Sequence, residues 1–274
     1  MPRLPIGEYF TVIVNFLRDN FDPLFSAIRE ILAWISGTII DILDFPPYWV
    51  IAILIALLAY KLAGKNIALF SLLAVFLIEG MELWPRATVT LSQIITATII
   101  ALLIGVPTGI LAAKFDTIDK ILRPVLDLMQ TMPAFVYLIP AAMFFRLGTV
   151  PAIISTIIFS MPPAIRLTNL GIRQVPKELV EAGESFGSTW QQMLFKVQLP
   201  QALPTIMAGV NQCIMLALSM VVIASMIGAG GLGSVVLTGV GQLNVGMSFE
   251  GGLAVVVIAI VLDRLTQGAN KKAA

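Results

Sequence analysis

A glycine-rich run, Gly228-Ala-Gly-Gly-Leu-Gly233, is the pattern in this chain that most resembles a cofactor site. Its G-x-G-x-x-G spacing matches the loop whose backbone binds a dinucleotide pyrophosphate, and Glu250 follows about twenty residues later, where that fold places a ribose-binding acid. The pattern is functional only after a buried strand of a βαβ unit, whereas here it follows a long apolar stretch. We therefore interpret Gly228, Gly230, Gly231 and Gly233 as a flexible, closely packed turn and not as a nucleotide site.

Residues that commonly catalyse reactions or bind metals are scarce. The chain has no histidine and one cysteine, Cys213. A Ser-His-Asp triad, a Cys/His zinc site and an intrachain disulfide are therefore excluded. The phosphate-binding pattern G-x-x-x-x-G-K-[ST] is also missing from the sequence. We expect a chain that is not an enzyme and that binds no metal or cofactor of its own.

The composition indicates a membrane protein. Hydrophobic residues make up 58% of the chain and charged residues 12%, about half the charged fraction of ordinary soluble domains. A helix needs about 20 mostly apolar residues to cross the hydrocarbon layer. Stretches of this kind predict seven spans, near residues 47–64, 66–83, 87–113, 125–145, 150–172, 202–227 and 250–267.

Lysine and arginine predict the orientation, because cytoplasmic loops are enriched in them. Placing the 173–200 loop inside puts twelve of the seventeen basic residues inside, with the N-terminus outside and the C-terminus inside. The inside set is Lys61, Lys65, Lys114, Lys120, Arg123, Arg166, Arg173, Lys177, Lys196, Arg264, Lys271 and Lys272, and the outside set is Arg3, Arg18, Arg29, Arg86 and Arg146.

The N-terminal region, residues 1–45, differs from the rest in its periodicity. Apolar residues recur every three or four positions, which predicts one face of a helix over about 22–43. Charged residues lie off this face, so we expect an amphipathic helix on the outer membrane surface, with an eighth span as the alternative. The face consists of Leu24, Ile28, Ile31, Ile35, Ile39 and Ile42.

The 173–200 loop carries the most specific pattern of the chain. Pro176 suits the first turn of a short helix, and Gly187 suits the left-handed residue that ends it. Ser188 and Gln191 have the spacing of a capping box that begins a second helix, and Pro200 predicts a break after it. We therefore expect a helix-turn-helix in which small residues, Ala182 and Gly183, allow another surface to approach.

This loop resembles the EAA motif of ABC-importer permeases, in which Glu-Ala-Ala is followed by three residues, Gly, nine residues and Ile-x-Leu-Pro. The matching residues are Glu181, Ala182, Gly183, Gly187, Val197, Leu199 and Pro200, with Gly183 for Ala and Val197 for Ile. The resemblance implies that the loop holds a coupling helix seated on a separate ATPase subunit, to which ATP and magnesium bind. Asp127 lies four residues from Arg123 and is expected to pair with it.

Residues from about 85 to 267 are similar to the permease core of the glycine betaine/proline/carnitine subgroup. The runs that carry the similarity are Gln130–Pro140, Met161–Arg166 and Ile227–Gly233. The resemblance implies a type I, MetI-like permease core over 85–274, two peripheral helices over 46–84, and the N-terminal tail. It also implies a homodimer with two ATPase subunits, a separate substrate-binding protein, and uptake of glycine betaine or a related compatible solute.

Two sets of residues are candidates for the translocation pathway. Thr88, Ser92 and Thr96 share one face of the third span, and lipid offers such groups no partner. Phe135 and Tyr137, with Met132 close by, offer aromatic faces of the kind that hold a quaternary ammonium group. Helix packing is the alternative role for both sets. Prolines that could kink the fourth and fifth spans during transport are Pro133, Pro140, Pro151, Pro162 and Pro163.

Two other functions remain open. The same machine could import methionine or another small amino acid, because methionine importers share part of this core. The chain could instead be a secondary carrier driven by an ion gradient, although the sequence supplies no obvious ion site. A membrane scaffold without transport activity would leave the spacing of the loop motif unexplained.

Overall fold

Helices make up almost all of the computed structural model, which describes residues 5–273. Residues 1–4 and 274 lie outside the described residues, and so do the side chains of Lys271 and Lys272. The predicted locations of Arg3, Lys271 and Lys272 are therefore not described. Residues 5–273 contain no strand, which confirms the predicted all-α class. The helices are α1 (Ile6–Asp44), α2 (Tyr48–Ala63), α3 (Lys65–Gly80), α4 (Trp84–Lys114), α5 (Asp116–Thr131), α6 (Phe135–Phe145), α7 (Thr149–Arg173), α8 (Lys177–Ser185), α9 (Trp190–Met193), α10 (Leu199–Ala224), α11 (Gly231–Gly241) and α12 (Val245–Ala273).

The centre of the bundle is formed by α4, α7 and α10, which approach one another at small residues. A Cβ atom at Gly109 of α4 would lie 2.6 Å from the Thr168 Cβ of α7. A Cβ atom at Gly209 of α10 would lie 3.1 Å from the Leu167 Cβ of α7. These helices therefore pack with their backbones close together, as small residues allow in membrane bundles.

The number of spans is lower than the sequence predicted. Among the described residues, five helices are long and apolar enough to cross a membrane, and the bent α5–α6 pair would make a sixth. The predicted spans near 47–64 and 66–83 form α2 and α3, which have 16 residues each. At about 1.5 Å per residue such a helix is shorter than the hydrocarbon layer. Gly64, with a φ of +92°, forms the sharp turn between them.

The predicted fourth span, 125–145, is not a continuous helix. It falls on two helices, α5 and α6, which are bent by 93° at the break after Thr131. The polar half of the bend, α5, begins nine residues before the predicted start and carries Asp116, Asp119, Lys120, Arg123 and Asp127. So many charges in 12 residues disfavour a position of α5 within the hydrocarbon layer, and α6 is the apolar part of the pair.

The prolines of the fourth and fifth predicted spans have different effects on their helices. Pro133 lies in the break between α5 and α6, where it ends the helix. Pro140 lies within α6, and Pro162 and Pro163 lie within an unbroken α7. Pro151 occupies the first turn of α7, where the missing amide removes no helical bond. A role for these prolines as hinges stays a prediction.

The N-terminal helix α1 is longer than expected and is kinked. Its backbone leaves helical geometry at Phe21, two residues before Pro23. Beyond the kink, the predicted apolar face lies only partly against the bundle. Leu32 and Ser36 are buried there, and Ile28 of the predicted face packs on the same cluster as Leu32. The other side of the predicted face is exposed, at Leu24, Ile31 and Ile42. The exposed part of the face is thus free to contact lipid, and the position of the helix on or across the membrane stays a prediction.

The α2–α3 pair packs beside the core and against α12. Gly268 of α12 allows this contact, because a Cβ atom there would lie 2.5 Å from the Leu62 carbonyl oxygen. Together with α1, these helices enclose an apolar cavity of about 220 Å³ whose lining includes Ser71 and Trp84. The division of the chain at residues 45 and 84 stays a prediction.

Candidate functional site

The 173–200 loop begins with the predicted short helix. Pro176 is the residue before its first turn, with an extended ψ of 132°, and α8 runs over Lys177–Ser185. None of its residues is buried. Leu179 is exposed, and Phe186, just after the helix, is 91% exposed. An apolar surface therefore projects from this end of the bundle.

Gly187 ends this helix as predicted. Its φ of +73° is the left-handed conformation that side chains disfavour. The Gly187 amide donates to the Glu184 carbonyl at 2.9 Å, and the Ser188 amide donates to the Gly183 carbonyl at 3.0 Å. These bonds close the last turn of α8 and direct the chain back toward the bundle.

The capping box was predicted one residue too early. Thr189, not Ser188, caps the second helix, and its backbone amide donates to the Gln192 side chain at 2.9 Å. The Gln192 amide donates to the Thr189 hydroxyl at 3.4 Å. Ser and Thr are both good N-caps, and the neighbouring Gln191 and Gln192 give either register the same spacing. Only the fold distinguishes them.

The helical path continues through Pro200, so the predicted break at this residue is wrong. A π-helical segment, Leu194–Gln198, joins α9 directly to α10. The Leu199 amide bonds to the Leu194 carbonyl, five residues earlier. Pro200 lies in the first turn of α10, so the wider π turn accommodates the missing proline donor without ending the helix. The second half of the loop is therefore rigidly continuous with a core helix.

The EAA-like residues divide into exposed and anchoring positions. Glu181, Ala182, Gly187 and Pro200 are exposed, whereas Gly183, Val197 and Leu199 are partly buried. The surface that approaches Gly183 is Met193 of the same loop, since a Cβ atom at Gly183 would lie 2.5 Å from the Met193 Cε. Leu199 packs on an apolar cluster of α7 and α10 that includes Ile172 and Ile206. The anchoring positions thus hold the exposed ones in place.

Two contacts that the sequence did not predict join the loop to the bundle. The Lys114 ammonium at the end of α4 lies 3.7 Å from the Trp190 ring centroid, a cation–π contact. The Arg173 guanidinium donates to the Ala112 carbonyl at 2.8 Å. Both ends of the loop are therefore tied to the last turn of α4. The partners are 76 and 61 residues apart in sequence, so no local periodicity could predict these pairs.

The expected Asp127–Arg123 pair is wrong. Arg123 bonds to Asp119 at 2.6 Å, one turn earlier on α5, and Asp127 accepts from Arg166 of α7 at 2.6 Å. The Arg123 guanidinium, with help from Asn169, holds the pKa of the Asp119 carboxyl below its usual value, although burial opposes this. Asp119 and Asp127 each lie four residues from Arg123, so sequence spacing alone could not identify which of them pairs with it.

The glycine-rich turn packs against α4 near the end that is opposite the 173–200 loop. Gly228, Gly230 and Gly231 have φ values of +80°, +74° and +69°. The Leu232 amide donates to the Thr90 hydroxyl at 2.8 Å. The Gln93 amide donates to the Ala229 carbonyl at 2.6 Å.

This turn follows a 3-10 segment, Ser225–Ile227, and leads into α11, with no strand in the described chain before it. Gly233 lies against the backbone of α10, where a Cβ atom would lie 2.9 Å from the Val221 carbonyl oxygen. The glycines are therefore required by close packing, and the dinucleotide interpretation has no structural support.

The predicted pathway residues of α4 are fully buried in helix contacts of this chain. Thr88 donates to the Pro85 carbonyl at 3.0 Å. Ser92 donates to the Ser36 carbonyl of α1 at 2.7 Å, and the two hydroxyls are 2.8 Å apart. The Thr96 hydroxyl has no hydrogen-bond partner among the described residues. Their role in a pathway stays a prediction.

The other predicted pathway residues lie at the α5–α6 bend. Met132 follows α5 in an extended conformation, and Phe135, which begins α6, is 46% exposed. Tyr137 is partly buried, and its hydroxyl has no partner among the described residues. The three side chains share one bend, but they do not form an aromatic cage within this chain.

Comparison with known proteins agrees with this architecture. The family model "Binding-protein-dependent transport system inner membrane component" matches residues 105–273. The glycine betaine transport system permease protein OpuAB of Bacillus subtilis (strain 168) is 48% identical over 99% of this chain and 96% of its own length. The glycine betaine/proline betaine transport system permease protein ProW of Escherichia coli (strain K12) is 47% identical over 98% of this chain and 76% of its own length.

The fold also has a match among solved structures. An inward-facing conformation of the MetNI methionine ABC transporter has a chain with a TM-score of 0.58 and 22% identity, covering 70% of this chain and 94% of that one. At this identity the similarity concerns the fold, and it confirms the MetI-like permease core. The chain therefore belongs to the family of binding-protein-dependent transport system inner membrane components.

Proposed function

We propose that this chain is the permease subunit of an ABC importer that takes up glycine betaine or a related compatible solute by ATP-driven alternating access. The observation that carries the proposal is the exposed 173–200 loop, which matches the EAA spacing and is built rigidly onto the core helices. The cargo follows from the relatives, which are named as glycine betaine permeases and match nearly the whole chain.

The proposed partner at the loop is an ABC ATPase. Its contact surface comprises the exposed residues around Glu181, Ala182 and Phe186, which offer apolar area and close backbone approach. ATP and magnesium would bind on that partner, because the sequence of this chain has no phosphate-binding loop. This chain would take part in translocation without catalysing hydrolysis.

A second copy of the chain is the proposed partner at α5 and α6. One chain carries one coupling loop, so two copies are needed for two ATPase subunits. Large apolar side chains on this side of the chain are exposed, including Ile121, Leu128, Phe135 and Ile139. A substrate-binding protein would dock at the opposite end of the bundle and deliver the cargo.

The proposed orientation has the N-terminus outside and the C-terminus inside, in the cytoplasmic (inner) membrane. Lys114, Arg173 and Lys177 lie near one another at the loop end of the bundle, as expected for a cytoplasmic face. The N-terminal helix would then lie at the outer face, whereas an eighth span would place the N-terminus inside.

Two alternatives are weaker. Methionine as cargo is supported by a fold match at 22% identity alone. An ion-coupled carrier would need coordinating groups, and the described residues contain no cluster of three or more acidic, histidine or cysteine side chains. Neither alternative agrees with the relatives that match nearly the whole chain, because these are named as glycine betaine permeases.

The test is uptake of labelled glycine betaine into proteoliposomes that contain this chain, its co-purified ATPase and its binding protein, with methionine as the competing cargo. We expect betaine uptake that requires ATP and is lost with Gly187→Pro. ATP-dependent uptake of methionine alone would retain the importer and change the cargo. Uptake that proceeds without any ATPase would contradict the proposal.

A further inference from the structure

Helix α5 is a rigid segment between two non-helical joints. Phe115, before its first turn, is extended, with φ −121° and ψ 110°. Met132, after its last turn, is also extended, with φ −69° and ψ 135°. Beyond Met132 the chain turns by 93° into α6. Rotation at these two joints would move α5 as a unit and leave its own helical hydrogen bonds intact.

Apolar packing holds only one side of α5 on this chain. Ile121 and Leu128 are exposed, whereas Leu126 is buried and Leu122 and Met129 are partly buried. Charged side chains of α5 also reach α7. The contact between the two helices therefore combines apolar side chains with hydrogen bonds and ion pairs.

Polar contacts join α5 to α7 along three successive turns. Arg166 donates to Asp127 at 2.6 Å and to the Gln130 side chain at 2.8 Å. Asn169 donates to Asp119 at 2.7 Å. Arg173 donates to Asp116 at 2.7 Å. Partly exposed ion pairs of this kind are individually weak, so the set can form and break during a transport cycle.

A cavity of about 380 Å³ lies between α5 and α7. Its lining includes both partners of two of these contacts, Asp127 with Arg166 and Asp119 with Asn169, and it also includes Arg173. The two helices are therefore joined by side chains across a space and are not closely packed.

Arg173 connects this contact to the 173–200 loop. It is the last residue of α7, four positions before α8 begins at Lys177. Its Nη2 atom donates to the Ala112 carbonyl at 2.8 Å and to Asp116, and its Nε atom donates to the Asn169 side chain at 2.8 Å. One guanidinium thus contacts the end of α4, the start of α5 and the preceding turn of α7.

We propose that Arg173 is a positioning residue for transport, through which displacement of the 173–200 loop is passed to α5. The inference rests on the proposed function, because it requires the loop to be moved by an ATPase. When the loop moves, the end of α7 changes position and the Arg173–Asp116 bond moves or releases the first turn of α5. The bend at Met132–Phe135 then moves with α5, and α6 begins at this bend.

The test uses the complete transporter in proteoliposomes, with uptake of labelled glycine betaine and ATP hydrolysis measured in the same preparation. The variants are Arg173→Gln, Asp116→Asn, and the exchange Arg173→Asp with Asp116→Arg. Lys120→Gln is the matched control, because Lys120 is an exposed cation of α5 that forms no ion pair in the described chain. Co-purification of the ATPase and the melting temperature report association and folding.

We expect the uptake per ATP hydrolysed to fall about five-fold or more in both single variants, the scale of a weak allosteric coupling. The ATPase should remain associated, the exchange should restore part of the ratio, and Lys120→Gln should not change it. An unchanged ratio in a folded Arg173→Gln transporter would overturn the proposal. So would parallel loss of hydrolysis and ATPase association, which would assign Arg173 to loop folding. If the unmodified protein shows no ATP-dependent uptake, the proposed function fails instead.

Discussion

Met193 packs its terminal methyl group onto Gly183, and this contact holds the two short helices of the 173–200 loop together. A Cβ atom at Gly183 would lie 2.5 Å from the Met193 Cε and 3.2 Å from its Sδ. Both atoms belong to the far end of a flexible side chain, so a small addition at Gly183 can be accommodated by a rotamer change of Met193. A branched side chain would require α8 and α9 to separate.

We therefore expect Gly183→Ala to be tolerated, in keeping with the alanine of the EAA motif, and Gly183→Leu to weaken ATPase association. The measurement is the amount of ATPase that co-purifies with each variant at equal permease yield. Equal association of both variants would show that the Gly183–Met193 contact does not position the loop.

Gly187 should resist substitution for a backbone reason. Its Cβ position is empty, but its φ is +73°, so Gly187→Ala should destabilise the loop by about 1–2 kcal/mol through left-handed strain. Limited proteolysis at the loop measures the effect. Gly37→Ala is the control, because Gly37 lies in α1 with equally open surroundings and no positive φ. If the two variants are cleaved at the same rate, strain at Gly187 is not what limits this turn.

Gly109→Ala should loosen the contact between α4 and α7. The added Cβ would lie 2.6 Å from the Thr168 Cβ and 2.7 Å from the Ile165 carbonyl oxygen, and the backbone atom cannot move aside. Overpacking of this kind costs about 1–3 kcal/mol, measured as a lower melting temperature in detergent. Gly252→Ala in α12, where no atom lies within 4 Å, is the control. A melting temperature equal to that of the control would contradict the close approach of the two helices.

Thr90→Val should destabilise the glycine-rich turn. The substitution removes the hydroxyl that accepts from the buried Leu232 amide at 2.8 Å, and an unpaired buried amide costs about 1–3 kcal/mol. Thr90→Ser should retain most of the stability. Thr98→Val is the control, because the Thr98 hydroxyl is buried without a partner among the described residues. Thermal unfolding separates these variants, and equal loss in Thr90→Val and Thr98→Val would argue against a specific bond.

Phe186→Ser should weaken ATPase binding without lowering the melting temperature. The ring is 91% exposed, so its removal costs the isolated permease little, whereas an interface would lose buried apolar area. Leu243→Ser is the control, because Leu243 is 89% exposed and follows α11, away from the loop. Equal ATPase co-purification with both variants would remove Phe186 from the docking surface.

The local signals of the sequence predicted much of the loop correctly. Short-range chemistry was sufficient for the α8 helix and for the left-handed Gly187, because both depend on the residues in the turn itself. The capping box was wrong by one residue and the break at Pro200 was wrong, because Thr189 and the π turn at Leu194–Gln198 are selected by how α9 continues into α10. The contacts of Lys114 and Arg173 join residues far apart in sequence and gave no local signal.

The sequence by itself determined the membrane environment, the all-α class and the family, because hydrophobic excess and motif spacing do not depend on the path of the chain. Only the tertiary structure decided which polar residues form hydrogen bonds or ion pairs with each other. Ser92 bonds to Ser36 of α1, and Asp127 bonds to Arg166 and not to Arg123. The physical reason is that a helix offers each polar side chain several partners of equal sequence distance, and only the packing of neighbouring helices brings one of them within hydrogen-bond distance.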